Sequence, residues 1–257
     1  METIPNRDAQ LRAPRPCVTG QGRAIAVCGL LALLASTMTR TASAAEAKIV
    51  TLGDSITKGV RQGVGAEETF AALLGARLKE RRVAAEVINV GIGGERTDQA
   101  LARLEQAVLS RRPKVVTVMY GTNDSYVDQG TKASRIDVET YRKNLTTLVD
   151  RLRERGAEPI LMTPPRWADD ASPNGLGENP NARLEPYVNA CRDVARTSRV
   201  ALVDHFADWT GAARRGINLR DWTTDGCHPN PEGHRRMAEL LLPAVLRLVA
   251  PQECGHA

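Results

Sequence analysis

The sequence predicts an α/β protein, a three-layer α/β/α sandwich around a central parallel sheet of five strands. Short apolar runs alternate with longer segments whose apolar residues recur at helical spacing, which is typical of strands joined by crossover helices. The chain has 257 residues, of which 42% are hydrophobic, enough for one substantial globular core. We find no internal repeat or low-complexity tract that indicates another architecture.

Five short runs are apolar along most of their length, as expected for strands that are covered on both faces. They span residues 48–53, 85–90, 114–120, 158–162 and 199–204. Because parallel strands are joined by right-handed crossovers, we expect helices on both faces of the sheet.

The segments between these runs carry apolar stripes that predict helices with one buried face. The stripes are Phe70, Leu73, Leu74 and Leu78; then Leu101, Leu104 and Val108; then Tyr141, Leu145, Leu148, Val149 and Leu152. A last helix is predicted from about Pro231, a residue suited to the first helical position, to about Leu248. We assign all of these stripes to the core.

The first 44 residues resemble a signal peptide. Four arginines precede an apolar stretch at 24–35, and the small residues Ala42, Ser43 and Ala44 follow it, which indicates cleavage near Ala44. The stretch is shorter than the roughly 20 residues of a bilayer crossing, so an uncleaved membrane anchor is the weaker alternative. We therefore predict one domain at 45–257, exported to the periplasm or the extracellular space, with no stable membrane insertion after cleavage.

Charge and cysteine content exclude several kinds of partner. The predicted signal peptide, residues 1–44, carries five of the 35 Lys/Arg and two of the 30 Asp/Glu, so the net charge falls from +5 to +2 without it. No basic stripe with interleaved aromatics remains, and nucleic acid is not an expected partner. Cys191, Cys227 and Cys254 permit one disulfide and one free thiol, with every pairing open. No zinc spacing is present, and we expect neither metal nor cofactor.

Polar residues follow the carboxyl ends of the predicted strands, the edge where open α/β sheets bind ligands. Ser55 follows the first strand, a glycine turn at 91–94 the second and Asn123 the third, while Asp225 and His228 precede the last helix. A serine needs an imidazole to take its proton, and the imidazole needs a carboxylate. Backbone N–H groups and an amide can stabilise an oxyanion. These segments therefore contain the parts of an acyl-transfer site.

Four ordered blocks identify a resemblance to the SGNH hydrolases of the GDSL family. The blocks are GDSIT (53–57), NVGIGGERT (89–97), GTNDS (121–125) and DGCHPNPEGH (225–234). One block alone is a weak signal, but four in this order are a strong one. The resemblance implies a flavodoxin-like fold and a metal-independent esterase, which the signal peptide predicts to be exported.

The resemblance also implies roles for individual residues. Ser55 would be the nucleophile, His228 the base and Asp225 its carboxylate. The backbone N–H groups of Ser55 and Gly94, with the side-chain amide of Asn123, would form the oxyanion hole. Gly94 is preferred over the glycines at 91 and 93 because the family's donor glycine usually precedes a polar residue and then Ser/Thr. Here Arg96 intervenes before the threonine.

The resemblance implies substrates such as short-acyl esters or thioesters, acetylated sugars or lysophospholipids. Tyr126, Trp167 and Trp222 lie in predicted loops near the site, where flat rings suit a sugar or an aromatic leaving group. With Asp54 they are our candidate substrate-binding residues. Because the sequence contains no amphipathic lid, including in the long loop at 163–181, we favour a small-molecule or glycan ester over lysophospholipase or acyl-thioesterase substrates.

Several alternatives compete with this interpretation. Asp54 and Ser55 fit a helix cap. Asp204 and His205 could replace the assigned pair, or join Asp54, Asp225 and His228 in a metal-dependent phosphoesterase site. A non-catalytic carbohydrate-binding protein is a third class. An α/β-hydrolase elbow and a dinucleotide fingerprint are disfavoured, because Thr57 and Arg96 stand where each pattern needs glycine.

Overall fold

The predicted strands form one sheet in a computed structural model that describes residues 46–249. The strands are β1 Ala47–Gly53, β2 Ala85–Asn89, β3 Val115–Met119, β4 Glu158–Thr163 and β5 Ala201–Asp204. Their order across the sheet is β2-β1-β3-β4-β5, and every neighbouring pair is parallel. This order is the flavodoxin-like one, so the predicted fold class is confirmed.

Seven α-helices connect and cover the strands within the described residues. They are α1 Ser55–Lys58, α2 Phe70–Glu80, α3 Thr97–Ala107, α4 Val138–Glu154, α5 Asn181–Thr197, α6 His205–Arg214 and α7 Pro231–Val249. Short 3₁₀ turns lie at Ala66–Glu68, Leu109–Arg111 and Leu219–Trp222. The apolar stripes identified α2, α3, α4 and α7 but not α5 or α6. Pro186 lies inside α5, where a proline normally argues against a helix.

Successive residues of each central strand pack on opposite faces of the sheet. On one face, Val50 and Leu52 of β1 join a cluster with α3, α4 and α5. On the other face, Ile49 of the same strand joins a cluster with α2 and α7. Fully burying a side chain of this size stabilises the fold by about 1.5–3 kcal/mol. Both faces are thus occupied by packing, which leaves the carboxyl edge of the sheet to carry polar groups.

Some predictions fall outside the described residues. The signal peptide, its cleavage site and Cys254 all do, so they stay predictions. Within residues 46–249, Cys191 and Cys227 are both buried and are not paired with each other. Between residues 46 and 249, no helix has the length and apolar character needed to cross a membrane.

Candidate active site

Ser55 lies where β1 gives way to α1, at the carboxyl edge of the sheet. Gly53 permits this turn, since a Cβ there would stand 2.7 Å from the carbonyl oxygen of Met119. Asp54, not Ser55, caps α1, because its Oδ1 accepts the N–H of Ile56 at 2.9 Å. The Ser55 hydroxyl is therefore not used for capping, and its Oγ lies 2.9 Å from Nε2 of His228.

His228 and Asp225 are held together in the loop before α7. Asp225 Oδ2 lies 2.8 Å from Nδ1 of His228. Asp225 Oδ1 accepts two backbone N–H groups, from Cys227 at 3.0 Å and from His228 at 2.8 Å. Gly226 makes this tight loop possible with a φ of 87°. The structure thus joins Ser55, His228 and Asp225 in one hydrogen-bonded line.

Arg61 also contacts this line, from the loop after α1. Its Nη2 donates to Asp225 Oδ2 at 2.8 Å, the same oxygen that faces the histidine ring. Burial tends to raise the pKa of Asp225, but the backbone N–H and the ring of His228 outweigh it and lower this pKa to about 2. Asp225 is therefore a carboxylate at any pH at which the protein is expected to work.

The pKa of His228 is lowered from its usual value. Burial is the main cause; Asp225 acts in the opposite direction, and the cation of Arg61 adds to the lowering. The carboxylate by itself raises this pKa, but burial outweighs it, so the net shift is downward. A lower pKa keeps the imidazole neutral, and able to accept a proton, over a wider pH range.

Asn123 follows β3, and its side-chain amide is held at both ends. Its Nδ2 donates to Asp54 Oδ2 at 3.2 Å, and its Oδ1 accepts from Arg135 Nη1 at 3.3 Å. Arg135 is itself fixed by a two-point ion pair with Asp128, with contacts of 2.8 and 2.6 Å. Arg135 has no signal in the sequence, because nothing in the spacing of this loop distinguishes it from other surface arginines.

Asp54, which we predicted to contact substrate, does not line either cavity at Ser55. Its side chain is 1% exposed and lies behind Asn123. Burial, opposed by the Ile56 N–H and aided by the nearby charge of Asp124, raises its pKa to about 7. Asp54 therefore orients Asn123 and caps α1, and the solvent-facing surface of the site is made by other residues.

The glycine turn after β2 passes close to α1. A Cβ on Gly91 would stand 2.2 Å from the backbone nitrogen of Lys58, and the N–H of Gly91 already donates to Asn89 Oδ1 at 2.9 Å. Gly93 lines a cavity of about 230 Å³ together with Ser55 and His228. Gly94 has a φ of 77°. Packing thus explains the glycine at 91, and the role of Gly94 as a donor stays a prediction.

A second cavity, of about 290 Å³, is also lined by Ser55 and His228. Tyr126 and Trp167 form one wall, with stacked rings whose centroids are 6.2 Å apart, and Arg135 lies 5.0 Å from the Tyr126 centroid. Asn181 at the start of α5 fixes the backbone of Trp167 through two hydrogen bonds of 2.9 Å. The cavity is lined by Ser55, Thr122, Asn123, Tyr126, Arg135, Trp167, Cys227 and His228.

Trp222, which we also predicted to contact substrate, does not line this cavity. Its ring is 9% exposed and meets Trp209 edge to face, with centroids 5.4 Å apart. The guanidinium of Arg236 lies 5.2 Å from the Trp222 centroid. The ring is buried in a small core under the 3₁₀ turn at 219–222, because its apolar area gains more from packing there than from facing solvent.

The alternative pair Asp204–His205 has structural contacts. Asp204 accepts from Arg192 Nε at 2.8 Å and from Thr163 at 2.9 Å, and it caps α6. His205 is fully buried, and burial lowers its pKa to about 4. Within residues 46–249 no three His, Cys, Asp or Glu side chains are grouped as metal ligands would be. The ligand set considered for a phosphoesterase is therefore not assembled.

Comparison with known proteins gives a consistent set of matches. A family model described as GDSL-like Lipase/Acylhydrolase matches residues 51–236. YqeF of Bacillus subtilis (strain 168), an uncharacterized lipoprotein, is 28% identical over 210 residues, which cover 74% of this chain and 86% of that protein. The isoamyl acetate-hydrolyzing esterase 1 homolog of Mus musculus is 27% identical over 216 residues, covering 79% and 83%. The crystal structure of the acetyl xylan esterase AlAXEase aligns with a TM-score of 0.65 and 26% identity, covering 77% of this chain and 99% of that one.

Proposed function

Because this chain belongs to the GDSL-like lipase/acylhydrolase family and is a carboxylic-ester hydrolase, we propose that it cleaves short-acyl esters through a Ser55–His228–Asp225 triad and an acyl-enzyme. The family resemblance inferred from the four sequence blocks is confirmed by the match. The observation that carries the mechanism is the line of contacts from Ser55 Oγ to His228 Nε2, 2.9 Å, and from His228 Nδ1 to Asp225 Oδ2, 2.8 Å.

In the first half of the proposed reaction, Ser55 Oγ attacks the ester carbonyl carbon while Nε2 of His228 takes the hydroxyl proton. Asp225 accepts a hydrogen bond from the Nδ1–H of the ring throughout, which holds the correct tautomer and stabilises the imidazolium. When the tetrahedral intermediate collapses, the carbon–oxygen bond to the alcohol breaks. His228 then returns the proton to the departing alkoxide, and the acyl group stays on Ser55.

Three donors would stabilise the oxyanion. The Ser55 N–H lies in the first turn of α1, where helical geometry provides no internal acceptor. Gly94 contributes a backbone N–H and Asn123 the second hydrogen of its amide, the first being taken by Asp54. Water then repeats the sequence as nucleophile with His228 as base, releasing the carboxylic acid and restoring Ser55. No step requires a metal or cofactor.

The substrate is proposed to be an acetyl or similarly short ester of a small alcohol or a sugar. Two of the similar proteins are named for acetyl esters, one of isoamyl alcohol and one of xylan. The stacked pair Tyr126–Trp167 beside Ser55 offers flat apolar faces of the kind that pack on sugars. The lipoprotein name of one relative is consistent with export after removal of residues 1–44.

The test is to label the purified protein with a fluorophosphonate and to locate the modified residue by mass spectrometry. We expect the label on Ser55, and turnover of p-nitrophenyl acetate that EDTA does not change. Ser55→Ala should lose both label and activity, by a factor on the order of 10⁴–10⁶, with its circular dichroism unchanged. A label on another residue, or an active Ser55→Ala, would end the serine mechanism, and inhibition by EDTA would restore the metal-dependent alternative.

A further inference from the structure

Glu95, the residue after Gly94, links two loops beneath the proposed oxyanion hole. Its carboxylate accepts from Arg103 of α3 at 2.5 and 2.6 Å, and from the hydroxyl of Tyr120 at 2.6 Å. Arg103 also donates to the carbonyl of Val90, at the start of the same loop, at 2.7 Å. Tyr120 lies three residues before Asn123. The turn that carries Gly94 is thereby tied to the segment that carries Asn123.

A second link joins the same two loops, this time with the carboxylate on the loop of Asn123. Asp124, the residue after Asn123, accepts from Thr97 through the backbone N–H at 3.0 Å and through the hydroxyl at 2.6 Å. Thr97 is the first residue of α3, three positions beyond Gly94, and Asn144 of α4 donates to its hydroxyl at 3.0 Å. We name the contacts Tyr120–Glu95 and Thr97–Asp124 the double bridge.

The double bridge buries two carboxylates, which costs free energy of folding. Glu95 is 5% exposed and Asp124 is fully buried, and Asp124 Oδ2 has no hydrogen-bond partner among the described residues. A buried carboxylate costs free energy unless it is fully paired, and apolar side chains often serve stability equally well. Charged hydrogen bonds do fix relative positions, because each one holds two groups within a narrow range of distance and angle.

We propose that Glu95 and Asp124 are positioning residues, which set the Gly94 N–H and the Asn123 amide at the separation that the oxyanion needs. The inference deepens the proposed esterase function and depends on it. Each carboxylate is adjacent in sequence to one donor and bonded to the segment of the other, so neither donor can move without the other. A donor that is fixed before the reaction costs no reorganisation as charge develops.

Tyr120→Phe is the sharpest probe, because it removes one hydroxyl and leaves the Glu95–Arg103 ion pair in place. Thr97→Val removes the hydroxyl of the second bridge at nearly constant volume. Tyr187→Phe is the matched control: it also deletes a buried tyrosine hydroxyl, one that donates to the Ile136 carbonyl outside the double bridge. Each substitution is made in the wild-type chain and in Asn123→Ala, and kcat, KM and Tm are measured with p-nitrophenyl acetate.

We expect Tyr120→Phe and Thr97→Val each to lower kcat about tenfold with KM within about twofold, since small displacements of a catalytic group are costly. In the Asn123→Ala background the same changes should lower kcat by less than about twofold, because one of the two aligned donors is already missing. Tyr187→Phe should leave kcat unchanged in both backgrounds.

Two results would overturn the inference: an unchanged kcat in both bridge variants, or an equal loss of kcat in both backgrounds, as a purely structural role requires. Activity that survives in Ser55→Ala would instead overturn the esterase mechanism itself. The two failures are therefore distinguishable in one set of measurements.

Discussion

The two halves of the site are built in opposite ways. The proposed base side is local and partly open: Asp225 and His228 lie three residues apart, and their side chains are 39% and 25% exposed. The proposed donor side is assembled from three distant loops and rests on carboxylates that are almost fully buried, Asp54, Glu95 and Asp124. Proton transfer needs a group that can titrate and reach the leaving alcohol, whereas oxyanion binding needs donors that do not move.

Removing the proposed base should lower activity more than any other change on either side of the site. His228→Ala is expected to lower kcat/KM by a factor on the order of 10⁴–10⁶, as loss of a triad member does. His205→Ala is the control, because His205 is buried away from the Ser55 line and should cost stability instead. The measurements are kcat/KM and Tm of both variants. If His205→Ala is inactive and His228→Ala is active, the base role belongs to the pair Asp204–His205 instead.

Removing a donor should have the next largest effect. We expect Asn123→Ala to lower kcat by about 10²–10³ with a smaller change in KM, because the amide binds the developing oxyanion more strongly than the substrate carbonyl. Steady-state kinetics with p-nitrophenyl acetate measure both constants. A rise in KM alone would make Asn123 a substrate-positioning residue and would remove it from the donor side.

The pH profile sharpens the contrast on the base side. In the proposed mechanism neutral His228 is the active form. Its pKa is lowered, so the acid limb of kcat/KM should have its midpoint below the ordinary value of about 6.5. Arg61 contributes to that lowering, so Arg61→Gln should move the midpoint upward while keeping most activity at pH 8. Profiles from about pH 5 to 9 on both proteins test the sign, and a downward shift in Arg61→Gln would contradict it.

Cys227 should matter least, although it lies between Asp225 and His228 and lines the cavity. Its thiol is buried, burial raises its pKa well above the usual range, and the proposed mechanism already has a nucleophile. Cys227→Ser is therefore expected to keep kcat within about threefold, allowing for a polar hydroxyl at a buried position. Circular dichroism checks that the variant is folded, and turnover measures its activity. A folded but inactive variant would show that the thiol takes part in catalysis.

Much of the fold could be predicted from the sequence because its determinants are local. Strands covered on both faces must be apolar throughout, and helices with one buried face must repeat at about 3.6 residues, so both periods are visible in the sequence. α5 was not identified; Pro186 lies inside it, and its buried residues join the core cluster on one face of the sheet. The short spacing of Asp225 and His228 was visible for the same reason: three residues in a glycine-containing loop can face one way.

Only the tertiary structure decided which side chains meet across long separations. Asp54 and Trp222 were both predicted to face substrate, yet one is buried behind Asn123 and the other covers Trp209. Arg61 and the double bridge had no sequence signal, since each joins loops that are brought together by the order of the strands. Arg135 had none either, because its contacts with Asn123 and Asp128 depend on how one long loop folds back on itself. A motif specifies which chemical groups a segment carries. Burial and distance set the pKa values of those groups and the direction of an amide. Both are determined only when the separate strand ends meet at one edge of the sheet.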